Sequence, residues 1–261
     1  MTGHRTDWAT YLAEFHQGHP GITEVALGHA RHPVHGTAHH WLAAVVPRPA
    51  GDMLDLACGS APIQDHVDSA SYLGLDTSPA ELAAARAAGR GPVRSGDATD
   101  LDVPDASVDT VVMSMALMLV PLQRALAEVA RVLRPGGTFV AMVPTTRPVR
   151  ARDLPSVAML SVALRGPGSM PTQLHAGTLA RDLMKAGLRP NHLARERFPF
   201  PISTPDDARL AVQSLYTPGR TPAQLHRAEA LLQRLPGRAE LPVPLLRFTA
   251  TRDDVATSGA A

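Results

Sequence analysis

Two acidic residues follow short apolar runs at a spacing that suits recognition of a nucleoside. Asp55 lies in the run Met53–Ala57, and Asp76 ends the run Tyr72–Asp76, 21 residues later. After Asp55 the chain turns through the small residues Cys58-Gly59-Ser60-Ala61, which let a ligand approach the backbone closely. In folds where parallel strands alternate with helices, a carboxylate at the end of the second strand can accept hydrogen bonds from both hydroxyls of a ribose. The two aspartates therefore predict a ligand that contains a nucleoside.

The same turn argues against a dinucleotide. A dinucleotide-binding turn needs three glycines, so that the pyrophosphate can lie against the backbone at a helix N-terminus. Here only Gly59 is a glycine. The sequence therefore disfavours a nicotinamide or flavin dinucleotide as the ligand.

The elements that must position these residues alternate between strands and helices. Ser78-Pro79-Ala80-Glu81 is a capping box with proline at the first helical position, and Leu122–Leu133 has the pattern of a second helix. This alternation predicts an α/β fold with a parallel sheet and helices on both faces. The apolar runs that predict its first strands are Met53–Ala57, Tyr72–Asp76, Pro92–Ser95, Val108–Met113 and Thr138–Val143.

Other segments flank this alternation. Residues 1–50 are predicted to form a helical lead or cap, because Trp8, Tyr11, Leu12 and Phe15 recur at helical spacing. Residues 51–251 form the main domain, with an inserted lid at about 145–175. Residues 252–261 are expected to be a disordered tail. Further elements are predicted at 176–187 (helix), 191–202 (strand), 223–235 (helix) and 243–251 (strand).

Composition limits the function. The 25 Lys and Arg residues nearly balance the 24 Asp and Glu residues, which argues against nucleic-acid binding through bulk positive charge. A single cysteine excludes a disulfide framework, and the spacing of the twelve histidines matches no metal signature, so no metal is predicted. The sequence shows neither an apolar run long enough to cross a membrane nor a signal peptide. We therefore expect a soluble, cytoplasmic protein that does not bind membranes.

Four sequence blocks follow one another over about residues 52–144. The blocks are DLACGSAP (55–62), YLGLDTSP (72–79), SGDATDLDVPDASVDTVVMSMAL (95–117) and EVARVLRPGGTFVAMVP (128–144). In sequence and order they resemble the class I S-adenosylmethionine-dependent methyltransferases. The lead FHQGHPGITE also resembles, more loosely, the N-terminal segment of bacterial small-molecule methyltransferases. The resemblance implies a doubly wound, mostly parallel seven-stranded sheet, S-adenosylmethionine as cofactor and S-adenosylhomocysteine as product.

The resemblance also assigns roles at the ends of the first two strands. It implies that Asp55, Ala57 and Gly59 line the methionine end of the cofactor. Asp76 would hold the ribose hydroxyls, with Thr77 beside it.

The third block supplies the remaining cofactor contacts that the resemblance implies. Asp97 would accept a hydrogen bond from the adenine amino group, and Ala98 would pack nearby. Ser114 and Met115 would contact the cofactor and face the reaction centre.

The chain departs from the family pattern at three places. Ala57 and Ala61 replace two glycines of the family turn; an alanine is tolerable at position 57 if its backbone φ is negative, whereas Ala61 would narrow the site. The positions after the fourth strand where relatives often carry histidines hold Met118 and Leu119.

A general base must therefore come from elsewhere. His16 is the first candidate, because it follows an apolar stripe that could fold over the cofactor. His39, His175 and Tyr11 are weaker candidates.

The acceptor is narrowed by the residues after the fourth strand. They read Met113-Ser114-Met115-Ala116 and lack the Asn/Asp-Pro-Pro-Tyr/Phe turn of enzymes that methylate DNA adenine or protein glutamine. The hypothesis is methyl transfer to an oxygen or carbon atom of a small organic molecule, in specialised metabolism. Two alternatives stay open: a cyclase or rearrangement enzyme that uses the same cofactor, and a non-catalytic cofactor-binding protein. A homodimer also stays open.

Overall fold

A single mixed sheet runs through the part of the chain that the structure describes. This computed structural model describes residues 7–253 apart from 165, 167–169, 173 and 235–238. Most of the predicted disordered tail, residues 254–261, therefore lies outside the described residues. The strands of the sheet are β1 Asp52–Leu56, β2 Ser71–Asp76, β3 Val93–Ser95, β4 Val108–Ser114, β5 Leu133–Pro144, β6 Leu188–Ile202 and β7 Ala239–Arg252.

The strand order is β3-β2-β1-β4-β5-β7-β6. Strands β1 to β5 pair in parallel, whereas β7 is antiparallel to both β5 and β6. The order reverses between β1 and β4, and such a switch point opens a crevice at the carboxyl ends of the strands. The predicted doubly wound, mostly parallel seven-stranded sheet is confirmed.

Helices cover both faces of this sheet, over two separate hydrophobic cores. Most lie where the periodicity predicts them, but α3, α6 and α8 were not predicted. A readable signal existed for α8, because Thr204 and Asp207 form a capping box with Pro205 at the first helical position. The helices are α1 Trp8–Gly18, α2 Ile22–His29, α3 Ala38–Ala43, α4 Pro79–Ala87, α5 Leu122–Val132, α6 Leu154–Ala163, α7 Ala176–Lys185, α8 Pro205–Gln213 and α9 Pro222–Leu232.

The N-terminal lead docks against the segment that follows α8. Its helix α1 begins at a cap, where Asp7 accepts a hydrogen bond from the Thr10 N–H. The buried ring of Phe15 then packs edge-on against Tyr216, with 4.8 Å between the ring centroids. The Tyr11 hydroxyl accepts a hydrogen bond from the Thr217 N–H at 2.7 Å. These contacts fix α1 over the carboxyl edge of the sheet.

The predicted lid is packed into the body of the protein. Asp153, which precedes α6, is 1% exposed and forms a buried ion pair with Arg197 of β6. Ala163, at the end of α6, is buried in the hydrophobic core. When both side chains of an ion pair are buried, the pair holds its segment in place, because separating the two side chains would leave an uncompensated charge in the interior. The described residues of 145–175 thus belong to the packed body.

No helix among the described residues is both long enough and apolar enough to cross a lipid bilayer.

Candidate functional site

The turn after β1 keeps a glycine-type backbone although two of its residues are alanines. The φ angles of Ala57, Gly59 and Ala61 are 54°, 55° and 56°, all in the left-handed region. The negative φ that would make an alanine tolerable at position 57 is therefore not what the structure shows. Ala61 is fully buried in the hydrophobic core and does not line the cavity described below, so it does not narrow the site.

Asp76, at the end of β2, braces this turn. Its Oδ2 accepts a hydrogen bond from the Gly59 N–H and its Oδ1 accepts one from the Ser78 N–H, both at 2.8 Å. Burial raises the pKa of Asp76 despite these two bonds. Each oxygen of a carboxylate has two lone pairs, so both oxygens can still accept a further hydrogen bond. Asp76 can therefore hold a ligand and shape the turn at once.

Asp55 lies behind the turn rather than in it. It is 1% exposed, its Oδ2 accepts a hydrogen bond from the Tyr72 hydroxyl at 2.7 Å, and its Oδ1 has no partner among the described residues. Burial raises the pKa of Asp55 to about 7, and the negative charge of Asp76 adds to this. Asp55 thus links β1 to β2 through Tyr72 and holds an unpaired acceptor oxygen two residues before the turn.

The end of β4 contributes the next wall. Met115 has a φ of 59°, and its N–H donates to the Met142 carbonyl, so the chain bends sharply away from the sheet. Ser114, just before the bend, lines the cavity, and its buried hydroxyl has no hydrogen-bond partner in the described residues. Such an orphaned hydroxyl is expected where a ligand binds.

Asp97 and Ala98 lie outside this arrangement. Asp97 is exposed, and its Oδ1 accepts hydrogen bonds from the N–H and the hydroxyl of Thr99. Ala98 is buried in the core on the opposite face of the sheet from α3. Neither residue lines the cavity. Their predicted contacts with adenine stay predictions.

A cavity of about 710 Å³ connects the turn, Asp76 and the end of β4. Of the sequence-predicted site residues it brings together His16, Ala57, Gly59, Asp76, Thr77, Ser114 and Met115. No described residue of 145–175 lines it. Helix α1 and Tyr216 close it instead, so the N-terminal lead takes the place of the predicted lid.

His16 bridges two residues that the sequence analysis did not identify. Its Nδ1 lies 2.8 Å from Glu81 Oε1, and its Nε2 lies 3.2 Å from the Tyr216 hydroxyl. Glu81 came to notice only as a helix-capping residue, and Tyr216 lies 200 residues from His16 along the chain, so no local pattern could link them. The contact depends on the docking of α1.

The other predicted bases fit less well. His39 lines the cavity, but burial lowers its pKa to about 4, which makes it a weak proton acceptor near neutral pH. His175 caps α7 and does not line the cavity. No group of three metal-binding side chains occurs among the described residues.

Comparison with known proteins identifies the domain. Residues 54–141 match the family described as "Methyltransferase domain". This match covers β1 to β5, the strands that carry the turn, Asp76 and Ser114. The chain contains a class I S-adenosylmethionine-dependent methyltransferase domain. The family and its cofactor, both predicted from the four blocks, are confirmed.

Curated relatives resemble the methyltransferase domain over part of their length. The chain is 36% identical over 123 residues to nocamycin O-methyltransferase from Saccharothrix syringae. This alignment covers 42% of this chain and 44% of that protein. It is 42% identical over 95 residues to demethylmenaquinone methyltransferase from Mycolicibacterium paratuberculosis, in an alignment that covers 35% of this chain and 41% of that protein. The chain thus spans less than half the length of these relatives.

Solved structures share the fold of the methyltransferase domain at low identity. The [4+2]-cyclase SpnF superposes with a TM-score of 0.60 over 93% of this chain and 95% of that one, at 19% sequence identity. At this identity the likeness shows a common fold and nothing about the reaction.

The residues of the methyltransferase domain fit S-adenosylmethionine. Ser114 and Asp76 both line the cavity, and the buried hydroxyl of Ser114 has no hydrogen-bond partner among the described residues. A hydroxyl can donate or accept a hydrogen bond, and the carboxylate of Asp76 can accept hydrogen bonds from a nucleoside. The left-handed turn at Ala57 and Gly59 brings backbone to the same wall. The cavity also extends past these residues to α1, which leaves room for a second molecule.

Proposed function

We propose that this protein transfers the methyl group of S-adenosylmethionine to an oxygen or carbon atom of a small organic molecule. The observation that carries the proposal is the single cavity that joins the ends of β1, β2 and β4 to α1. The cofactor-binding end lies at the sheet, and the acceptor would bind between it and α1. By analogy with the nocamycin enzyme, we place the reaction in specialised metabolism.

The cavity wall favours an acceptor that is apolar and carries no negative charge. Leu12, Met115, Leu119 and Val120 supply apolar surface near α1. The lining also contains four acidic residues, but no lysine or arginine among the residues that the structure describes. Glu24 is paired with Arg90, whereas the other three form no ion pair with lysine or arginine among the described residues, so a carboxylate on the acceptor would meet like charges. The four acidic residues are Glu14, Glu24, Asp76 and Glu81.

The sulfonium of the bound cofactor supplies an electrophilic methyl group, so the protein must mainly align the acceptor and exclude water. We assign Asp76 and Thr77 to the ribose and Asp97 and Ala98 to the adenine. A hydroxyl acceptor also needs a group that takes its proton, and His16 is the proposed base.

At the methionine end we assign four further contacts. Asp55 acts from behind the turn that Ala57 and Gly59 form, and Ser114 binds from the end of β4. Met115 would border both the cofactor and the acceptor, since it lines the cavity at the bend after β4.

Calorimetry with S-adenosylhomocysteine tests the cofactor site. We expect binding at micromolar concentration that is about 10- to 100-fold weaker in Asp76→Ala. An absence of binding by the wild-type protein at millimolar concentration would refute the cofactor site. A screen of neutral phenols and alcohols with radiolabelled methyl donor then tests transfer. Product mass separates the alternatives, because transfer adds one methylene unit whereas a cyclisation adds none.

The proposal extends to the cellular location and the oligomeric state of the protein. We propose a cytoplasmic enzyme that acts on a small molecule and not on nucleic acid or membranes. Sedimentation equilibrium decides between a monomer and a homodimer.

A further inference from the structure

His16 is held between an anion and a phenol on the wall of the cavity. The imidazole Nδ1 contacts Glu81 Oε1 at 2.8 Å, and Nε2 contacts the Tyr216 oxygen at 3.2 Å. All three residues line the cavity. The inference drawn from this arrangement rests on the proposed function, because it concerns the proton that a hydroxyl acceptor must lose.

Glu81 decides which nitrogen of His16 carries the proton. Its side chain is 4% exposed, and its other oxygen accepts a hydrogen bond from the Gly21 N–H at 2.9 Å. Among the described residues its carboxylate contacts the imidazole of His16 and no lysine or arginine. An ionised carboxylate only accepts hydrogen bonds, so the neutral imidazole must carry its proton on Nδ1. Nε2 is then a lone pair directed at Tyr216.

The hydroxyl of Tyr216 stays protonated and can donate a hydrogen bond to that lone pair. Burial raises the pKa of its phenol well above the usual value, and the nearby charge of Glu81 raises it further, so the hydroxyl keeps its proton. The edge-on contact with Phe15 holds the ring against α1. The O–H of Tyr216 can therefore donate to Nε2, while its oxygen can accept a hydrogen bond from the Thr23 hydroxyl and a proton from an acceptor.

We infer that Glu81, His16 and Tyr216 form a proton relay, in which Tyr216 takes the proton of the acceptor hydroxyl and Glu81 is a positioning residue. The acceptor oxygen bonds to the methyl carbon as the carbon–sulfur bond breaks, and that electron pair stays on sulfur. The acceptor proton moves to the Tyr216 oxygen, and the proton of Tyr216 moves to His16 Nε2. The products are a neutral ether, a neutral thioether and an imidazolium facing Glu81. The side chain of His16 is 21% exposed, so the imidazolium can return its proton to water.

Nitrogen-15 NMR of histidine-labelled full-length protein tests the relay without an acceptor. The signal of His16 is assigned by its loss in His16→Gln. We expect the neutral imidazole of the wild-type protein to carry its proton on Nδ1. In Glu81→Gln the amide can donate to Nδ1, so the proton should move to Nε2. In Tyr216→Phe the proton should stay on Nδ1, and the Nε2 signal should shift to that of an unbonded lone pair.

Glu14→Gln is the matched control. It removes the same charge from the same wall, but Glu14 is exposed and forms no hydrogen bond with His16 in the structure. Its spectrum should keep the wild-type tautomer. The inference is overturned if wild-type His16 carries its proton on Nε2, if Glu81→Gln leaves the tautomer unchanged, or if Tyr216→Phe does not move the Nε2 signal. Failure of the proposed function would appear separately, as a lack of S-adenosylhomocysteine binding.

Discussion

Replacing Ala57 with glycine should stabilise the protein, although glycine usually destabilises. At Ala57 the φ angle is 54°, and the left-handed region costs a residue with a Cβ about 1–2 kcal/mol. Glycine avoids this cost but loses about 0.5–1 kcal/mol more backbone entropy on folding. Ala57 is only partly buried, so removal of its methyl group forfeits little packing. The free energy of unfolding should therefore rise by about 0.5–1 kcal/mol.

Two other alanines with positive φ separate backbone strain from packing. Ala61, at 56°, is fully buried, and loss of its methyl group costs about 0.8 kcal/mol of apolar burial, which cancels the gain. Ala106, at 48°, is exposed in a turn far along the chain and should behave like Ala57. Ala57→Gly and Ala106→Gly should both stabilise, and Ala61→Gly should be neutral.

Urea unfolding of the three variants and the wild type measures these differences. In thermal unfolding a change of 1 kcal/mol corresponds to about 2–4 °C for a chain of this size. The reasoning is refuted if Ala57→Gly is destabilised, or if Ala61→Gly gains as much as Ala106→Gly. Binding of S-adenosylhomocysteine by Ala106→Gly should match the wild type, because Ala106 does not line the cavity.

Three other predictions follow from burial and hydrogen bonding. Because burial raises the pKa of Asp55 to about 7, the folded state binds the proton of this carboxyl more tightly than the unfolded state does. The free energy of unfolding should therefore fall as the pH rises from about 4 to 7, by up to about 1.4 kcal/mol per pH unit. Urea unfolding of Asp55→Asn should lack this dependence on pH. Asp76→Ala should weaken S-adenosylhomocysteine binding about 10- to 100-fold in calorimetry, whereas Asp97→Ala, which would remove one adenine contact of an exposed side chain, should cost less than about 10-fold; equal losses would contradict the larger role given to Asp76. Gly74→Ala should lose about 1–3 kcal/mol in urea unfolding, because its Cβ would lie 2.8 Å from Val93 Cγ1; wild-type stability would show that this contact yields freely.

Local patterns predicted the cofactor half of the protein well. Alternating apolar runs located β1 to β5, because a strand buried on both faces needs a continuous apolar stretch. Asp76 and Gly59 were predicted from their positions at strand ends, and the structure joins them by a hydrogen bond. The pattern left the φ angle of Ala57 open, and the structure shows that the turn imposes a positive one.

The segment that covers the site could not be predicted in the same way. The length of the segment 145–175 suggested an inserted lid, yet Asp153 pairs with Arg197, 44 residues away, and fixes this segment to β6. An acidic residue that forms a buried ion pair looks the same in the sequence as one that does not. Only the folded chain shows that residue 153 is bound to the sheet.

Sequence alone thus determined the sheet, the turn and the residues at the strand ends, because each depends on neighbours a few positions away. The tertiary structure decided which element closes the cavity and what His16 touches. Glu81 lies 65 residues from His16 and Tyr216 lies 200 residues away, and they meet only when α1 docks against the segment after α8. Contacts across such separations come from packing of whole elements, which no local spacing encodes.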